Sequence, residues 1–233
     1  MPWGAPAAQM RELILALHAI WDNWYAAKPL EFAGKYYTHT LMTPAFTPTD
    51  IEYGRPKVTL AAVGPKMTEV AGEVADGLIV HPFSNMKYIR EVTLPALQRG
   101  LAKAGRSRDD IEIIYSAFII SGPDEEAMEK SRNDAKNRIS FYASTPAYKG
   151  VLDIHGWGDL QPELNAMSKQ GRWAEMGKLI TDEMVNTFGI VAEPHALVAE
   201  MKRRFGDIVD RTSGSFPFVD KDTQRAMIAE LHA

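Results

Sequence analysis

The 233-residue chain contains no cysteine, which excludes disulfides, a thiolate nucleophile and any Cys-ligated metal centre. A cysteine-free chain fits a reducing compartment, and the cytoplasm is the expected location. No uninterrupted apolar run approaches the roughly 18 residues that a membrane-spanning helix needs. The opening MPWGAPAAQM has neither a basic stretch nor an apolar core, so it does not read as a secretion signal. Positive charge is also in short supply: 26 Lys and Arg stand against 30 Asp and Glu, for a formal charge of −4 at pH 7. Nucleic-acid binding needs clustered cations, and the one tight cluster, Lys202-Arg203-Arg204, reads as the solvated face of a helix. His18, His39, His155, His195 and His232 are scattered with no His-Glu-x-x-His or paired spacing, which argues against a metal site. No Gly-x-Ser-x-Gly elbow is present either, so serine hydrolysis has no nucleophile motif.

What the sequence does hold is periodicity. Met10, Leu13, Ile14, Leu17, Ile20, Trp21 and Trp24 fall on one helical stripe. Residues 28–56 then lose that pattern among six prolines and glycines, and predict a long ordered loop with room for a short strand pair. From Lys57 the chain alternates. Val58–Val63 reads as an apolar strand. Met67, Val70, Ala71 and Val74 form the inner face of a helix stopped at Asp76-Gly77, and Gly77–Phe83 is a second strand.

A helix is expected over 85–104 with a kink at Pro95, and a single strand over 111–120. Gly122-Pro123-Asp124-Glu125-Glu126 is expected to open a long helix, with proline in its first turn. Residues 146–189 read as a helical insertion too short for a core of its own. Another helix starts at Pro194, a last strand covers 208–218, and a helix ends the chain. Four strands, near 57, 77, 111 and 208, separated by helices, predict an α/β fold with a parallel sheet in one domain over 1–233. A closed eight-stranded barrel needs twice as many.

Several segments together resemble one family. The run VTLAAVGPKMTEVAGEVADGLIVHPF, followed by YIREVTLPALQRGLAKAGR, looks like the second half of the luciferase-like monooxygenase superfamily, in its deazaflavin-dependent (coenzyme F420) oxidoreductase branch. PAAQMRELILALHAIW, ISFYASTPAY, HGWGDL and GRWAEM agree with that resemblance. It implies a (β/α)8 barrel of which this chain supplies strands five to eight and the helix before them. In complete members of the family, by the same resemblance, four further strands precede that helix. Two expectations follow: a truncated chain, or a half-barrel that completes itself with a second copy.

The resemblance places a cofactor across the C-terminal mouth of the barrel and its phosphate on the turn after strand five. The residues it implicates are Ala62, Val63, Gly64, Pro65, Lys66 and Met67. Elementary physics suits that role, because a helix starting at Gly64-Pro65 aims free N–H groups and its positive end outward, and Lys66 adds a charge. The same residues are also simply a good helix start, with Gly at the N-cap and Pro at N1. His81, near the end of the next strand, can face the mouth or serve as a hydrogen-bonded structural residue. Tyr142, Trp157 and Trp173 can line an apolar pocket or pack a core, and Arg211 can meet an anion or a neighbouring carboxylate.

The leading expectation is a coenzyme F420-dependent oxidoreductase that passes a hydride between the deazaflavin and a small organic substrate. An FMN-dependent monooxygenase of the same superfamily and an inactive half-barrel or assembly module are the alternatives. Because two sheet edges would be left open, self-association is expected. The acid–base groups are implied to lie in the other half of the barrel, so no catalytic residue is named.

Overall fold

The apolar stripe from Met10 to Trp24 becomes α1 (Pro6–Ala26) in the computed structural model, which describes residues 5–213, 216 and 219–232. The first residues of the MPWGAPAAQM segment and four positions of the expected last strand lie outside those described. The chain divides into two units: Met1–Ile79 with Leu94–Glu112, and Val80–Thr93 with Ile113–Ala233.

In the first unit, α1 buries Ile14 and Ala16 and ends at Ala27 in the left-handed conformation. The loop that follows contains a minimal antiparallel pair, β1 (Phe32–Ala33) with β2 (Thr38–His39), Phe32 opposite His39. A carboxylate organises its turn: Glu12 on α1 accepts N–H bonds from Lys35 (3.0 Å), Tyr36 (2.5 Å) and Tyr37 (2.7 Å). Desolvation opposes the charge on Glu12, but the three amide donors outweigh it and the carboxyl sits below its ordinary pKa. A depressed carboxyl pKa stabilises the fold above the unfolded value, near ~4.3, and the contribution is lost as pH falls through the folded one. Glu12→Gln is therefore expected to lower the amide-exchange protection of Tyr36 and Tyr37 at neutral pH, and acidification of the wild type should do the same. Unchanged protection in both experiments would show that the turn holds without the clamp.

Next come β3 (Thr59–Ala62), α2 (Pro65–Val74) and β4 (Gly77–Val80), with β3 and β4 adjacent in one sheet. Asp76 ties the unit closed. Its carboxylate accepts from Val58 N–H at 2.7 Å while its own N–H donates to Val58 O at 2.8 Å. The helix expected over 85–104 is present in three pieces: α3 (Met86–Tyr88) capped by Asn85, a π turn over Ile89–Thr93, and α4 (Leu94–Lys103). Pro95 has no N–H for the carbonyl four residues back, and the wider turn immediately before it absorbs that loss.

Helices α2 and α4 touch through two glycines. A Cβ on Gly100 would run into the backbone carbonyl of Glu69, and one on Gly72 into that of Leu97. Glu69 also pairs with Lys103 and, at 3.2 Å, with Arg99 across the same seam.

The second unit corrects the strand count. Instead of one strand over 111–120 there are two, β5 (Glu112–Tyr115) and β6 (Phe118–Ile120), interrupted at Ser116-Ala117. They serve different partners. Ile113 and Tyr115 bond toward Asp210 and Arg211, whereas β6 pairs in parallel with β7 (Gly189–Val191), Ile119 opposite Ile190. The strand expected over 208–218 reduces, among the described residues, to a single bridge between Ile114 and Arg211. There Asp210 takes the Ile113 N–H with its carboxylate, at 2.7 Å, where a ladder would use a backbone carbonyl. Positions 214, 215, 217 and 218 of that strand are outside the described residues.

Strand β7 itself was not expected; it follows α9 (Asp182–Phe188) without a loop, and three residues carry too little pattern to be read. Helix α5 (Glu125–Ala143) starts two residues after Pro123, so the proline lies before the helix and not in its first turn, and Asp124 caps it by accepting from Ala127 N–H at 2.8 Å. The 146–189 stretch holds α6 (Lys149–Asp153), α7 (Leu160–Lys169), α8 (Trp173–Met176) and α9, and α10 (Leu197–Phe205) and α11 (Lys221–His232) complete the unit. Ile120, Ile139, Leu152, Leu164, Met176 and Phe188 are its fully buried centre, and Phe83 stacks on Phe188 with ring centres 4.6 Å apart. The strands make separate short sheets and close no barrel among the described residues.

Candidate functional site

In the first unit, β3 alternates exposed and buried residues, ending with Ala62 buried and Val63 half-buried. Gly64 is the N-cap of α2 with extended φ and ψ of −80° and 154°, Pro65 is its first residue, and no side chain caps the helix. Thr68, fully buried, returns both its N–H (3.2 Å) and its hydroxyl (3.1 Å) to Gly64 O, which pins the turn. Lys66 is exposed and Met67 half-buried.

Two facts about Gly64 stand together. Its φ is open to any residue, and a Cβ there would meet no atom within 4 Å. Among the described residues nothing in the surrounding fold requires glycine at this position, in contrast to Gly72 and Gly100. The free space lies beside the uncapped end of a ten-residue helix, where backbone amides and the helix dipole favour an anion.

In the second unit, His81 leaves the C-terminal end of β4, where α/β folds place their chemistry. It is half-buried, and burial lowers its pKa from the ordinary imidazole value. Nδ1 accepts from Phe83 N–H at 3.0 Å and Nε2 lies 3.4 Å from the Tyr148 hydroxyl. Tyr142 meets the His81 ring edge-on with centres 4.9 Å apart, and Tyr148 lies at 4.8 Å. Phe83 borders both tyrosines, and Phe118 borders Tyr142.

Three and four residues after this histidine, Ser84 and Asn85 are each 2% exposed, and among the described residues Ser84 Oγ and Asn85 Nδ2 have no hydrogen-bond partner. Asn85 Oδ1 is engaged twice, by Tyr88 N–H and by His155 Nε2, both at 3.0 Å. His155 stacks on Trp157 at 4.6 Å, and burial followed by the nearby Lys87 charge lowers its pKa.

Of the residues singled out from sequence, Ala62 to Met67 form one continuous turn and His81 is the centre of an aromatic cluster with Tyr142. Trp157 belongs to the His155 stack, and Trp173 is half exposed against Phe141. Tyr148, Ser84 and Asn85 were missed. The run HPFSN immediately after an apolar strand was the available signal, since polar residues at the end of such a strand have no packing reason to be there. Among the described residues no group of His, Asp and Glu is arranged to hold a metal, and no helix is long and apolar enough to cross a membrane.

A family model described as luciferase-like monooxygenase matches residues 1–211. An uncharacterized protein of Mycobacterium tuberculosis (strain H37Rv) is 43% identical over 231 residues, covering 99% of this chain and 68% of that protein. An F420-dependent glucose-6-phosphate dehydrogenase of Microbacterium testaceum is 31% identical over 129 residues, which are 53% of this chain and 35% of the enzyme. In fold, the chain is similar to the coenzyme F420 dependent tetrahydromethanopterin reductase of Methanopyrus kandleri, with a TM-score of 0.72 at 23% identity. That match covers 94% of this chain but 62% of the reductase, so the chain spans less than two thirds of the solved structure it resembles.

Proposed function

The chain belongs to the luciferase-like monooxygenase family, and from that premise we propose that it is an oxidoreductase of the coenzyme F420-dependent branch. In this reading a hydride passes between C5 of the deazaflavin and a carbon of a small organic substrate. The cofactor supplies that chemistry, and the protein's part is to bind, orient and exclude water. Gly64, Lys66 and Met67 hold the cofactor phosphate with backbone amides, Lys66 adds its ammonium, and Ala62, Val63 and Pro65 line the approach; His81 is a separate candidate for contact with a ring or substrate. The observation that carries the reading is Gly64: a glycine with an ordinary φ and open space at its Cβ, at an uncapped helix start. A dehydrogenase that is 31% identical where it aligns, and is named for its F420 dependence, supports F420 over FMN.

The reading extends to self-association around a partial barrel. In β3 and β4, Ala61 and Ile79 are exposed, Ile79 by 38%, on strand positions that a closed barrel would fill from inside. A second copy that covers these positions would complete the mouth.

Titration of the purified chain with coenzyme F420 and with FMN, followed by fluorescence and paired with its mass in solution, tests the reading. The expected result is a self-associated species that binds F420 at micromolar or lower concentration and FMN more weakly. Binding of neither cofactor would overturn it, and tighter binding of FMN would move the chain to the monooxygenase side of the family.

A further inference from the structure

We propose that the Tyr148 hydroxyl is a ligand-facing hydrogen-bond donor, set in that role by His81, and that it receives a neutral carbonyl oxygen. The proposal rests on the F420 reading above, and the oxygen belongs either to the deazaflavin ring or to the substrate. Proton bookkeeping carries the argument. His81 Nδ1 accepts from Phe83 N–H at 3.0 Å, so it holds a lone pair and no proton. A neutral imidazole then carries its proton on Nε2. That nitrogen faces the Tyr148 oxygen at 3.4 Å, so His81 donates and Tyr148 accepts.

The hydroxyl proton of Tyr148 must consequently point away from His81, and among the described residues none accepts it. Burial keeps His81 neutral in this arrangement, and no charged side chain contributes to its shift. Tyr148, Tyr142 and His81 are all half-buried, which leaves the cluster reachable from solvent.

The surroundings decide the chemical class of the acceptor. The His81 ring is flanked by Tyr142 and Tyr148 at 4.9 and 4.8 Å, and Phe83 lies 5.9 Å from Tyr148. These are flat, uncharged faces suited to a conjugated ring or a compact ketone. The neighbouring cation, Lys149, is engaged by Asp153 at 2.5 Å. With Lys149 paired, a carbonyl, which needs only the one donor that Tyr148 offers, suits the cluster better than a phosphate or carboxylate. Tyr148 uses its oxygen on His81 and keeps its proton for a ligand.

Ring-nitrogen NMR of the ligand-free chain is the first test. His81 is expected to show an unprotonated Nδ1 and a protonated Nε2 at neutral pH; the opposite tautomer would overturn the proposal whatever the chain binds. The second test compares wild type with Tyr148→Phe, using 5-deazariboflavin as the phosphate-free ring probe, and cyclohexanone added to chain already saturated with coenzyme F420. The variant is expected to bind one of the two probes about three- to tenfold more weakly, the size of one lost hydrogen bond. Weakening of 5-deazariboflavin assigns the ring carbonyl, and weakening of cyclohexanone assigns the substrate. Unchanged affinity for both probes would overturn the proposal and leave the F420 reading standing. A wild-type chain that binds no F420 and neither probe would overturn both.

Discussion

Gly64→Val is expected to weaken coenzyme F420 binding by about a hundredfold while lowering stability by no more than ~1 kcal/mol. The two effects separate because they draw on different physics. Valine accepts φ and ψ of −80° and 154°, and its Cβ enters space where no described residue has an atom within 4 Å. The fold loses only the modest preference of an N-cap for glycine over valine. A bound phosphate, by contrast, would be pushed off the amides of the first turn. Each charge-assisted bond it loses is worth about 1.5–3 kcal/mol, and ~2.7 kcal/mol is a hundredfold. If the turn is no more than a helix start, the variant will bind F420 as the wild type does. Lys66→Ala supplies a smaller reference effect, because a single exposed cation is partly screened by salt.

Gly100→Val is expected to do the reverse: to lower stability by about 3 kcal/mol or more. For a chain of this size that is a drop of roughly 6–12 °C in melting temperature. The obstacle is backbone, not a flexible side chain. A Cβ at Gly100 would meet the Glu69 carbonyl and lie 3.0 Å from Glu73 N, so α2 and α4 must separate to admit it. Separation would also break the apolar contact beneath, where Val70, Ala71, Val74, Leu97 and Leu101 are buried. Glycine in a helix interior is ordinarily unfavourable relative to alanine, and close approach of the two helices is what holds it here. A melting temperature within a few degrees of the wild type would show that the seam can open without loss. Thermal denaturation of the two variants side by side distinguishes a glycine kept for the fold from one kept for a ligand.

How much of this was legible beforehand depended on run length. The unit from Val58 to Val80 was readable almost residue by residue, because a strand, a ten-residue helix and a strand each fill at least one period of their pattern. The Asp76-Gly77 stop was readable too, though only the structure shows Asp76 closing back on Val58. Elements of three residues were not readable. β7 is Gly189-Ile190-Val191, and neither two-residue nor helical spacing can declare itself in that length. The break at Ser116-Ala117 was hidden for another reason: the apolar run continues through it, and what changes is the partner strand. Among the described residues the last strand expected from Ile208 reduces to one bridge, where Asp210 replaces a backbone acceptor with its side chain.

At the candidate site, chain position was legible and proton position was not. Gly64-Pro65-Lys66 announced itself as a helix start after a strand, and His81 as a polar residue ending one. That Gly64 has no steric reason to be glycine needed coordinates. So did the direction of the His81–Tyr148 bond, because Tyr148 is 67 residues away in sequence. For Ser84 and Asn85 the HPFSN run after an apolar strand is a weak signal, because short polar residues there ordinarily mark a turn, and their burial is what strengthens it.

The account stands or falls on whether the turn at Gly64 holds a phosphate. The most direct measurement is the affinity of the wild-type chain for coenzyme F420 against that for 5-deazariboflavin, the ring without its phosphate-bearing tail. The predicted result is F420 binding tighter by about a hundredfold, with the difference falling to within about threefold in Gly64→Val. Equal affinities in the wild type, or a preference that survives in Gly64→Val undiminished, would contradict it.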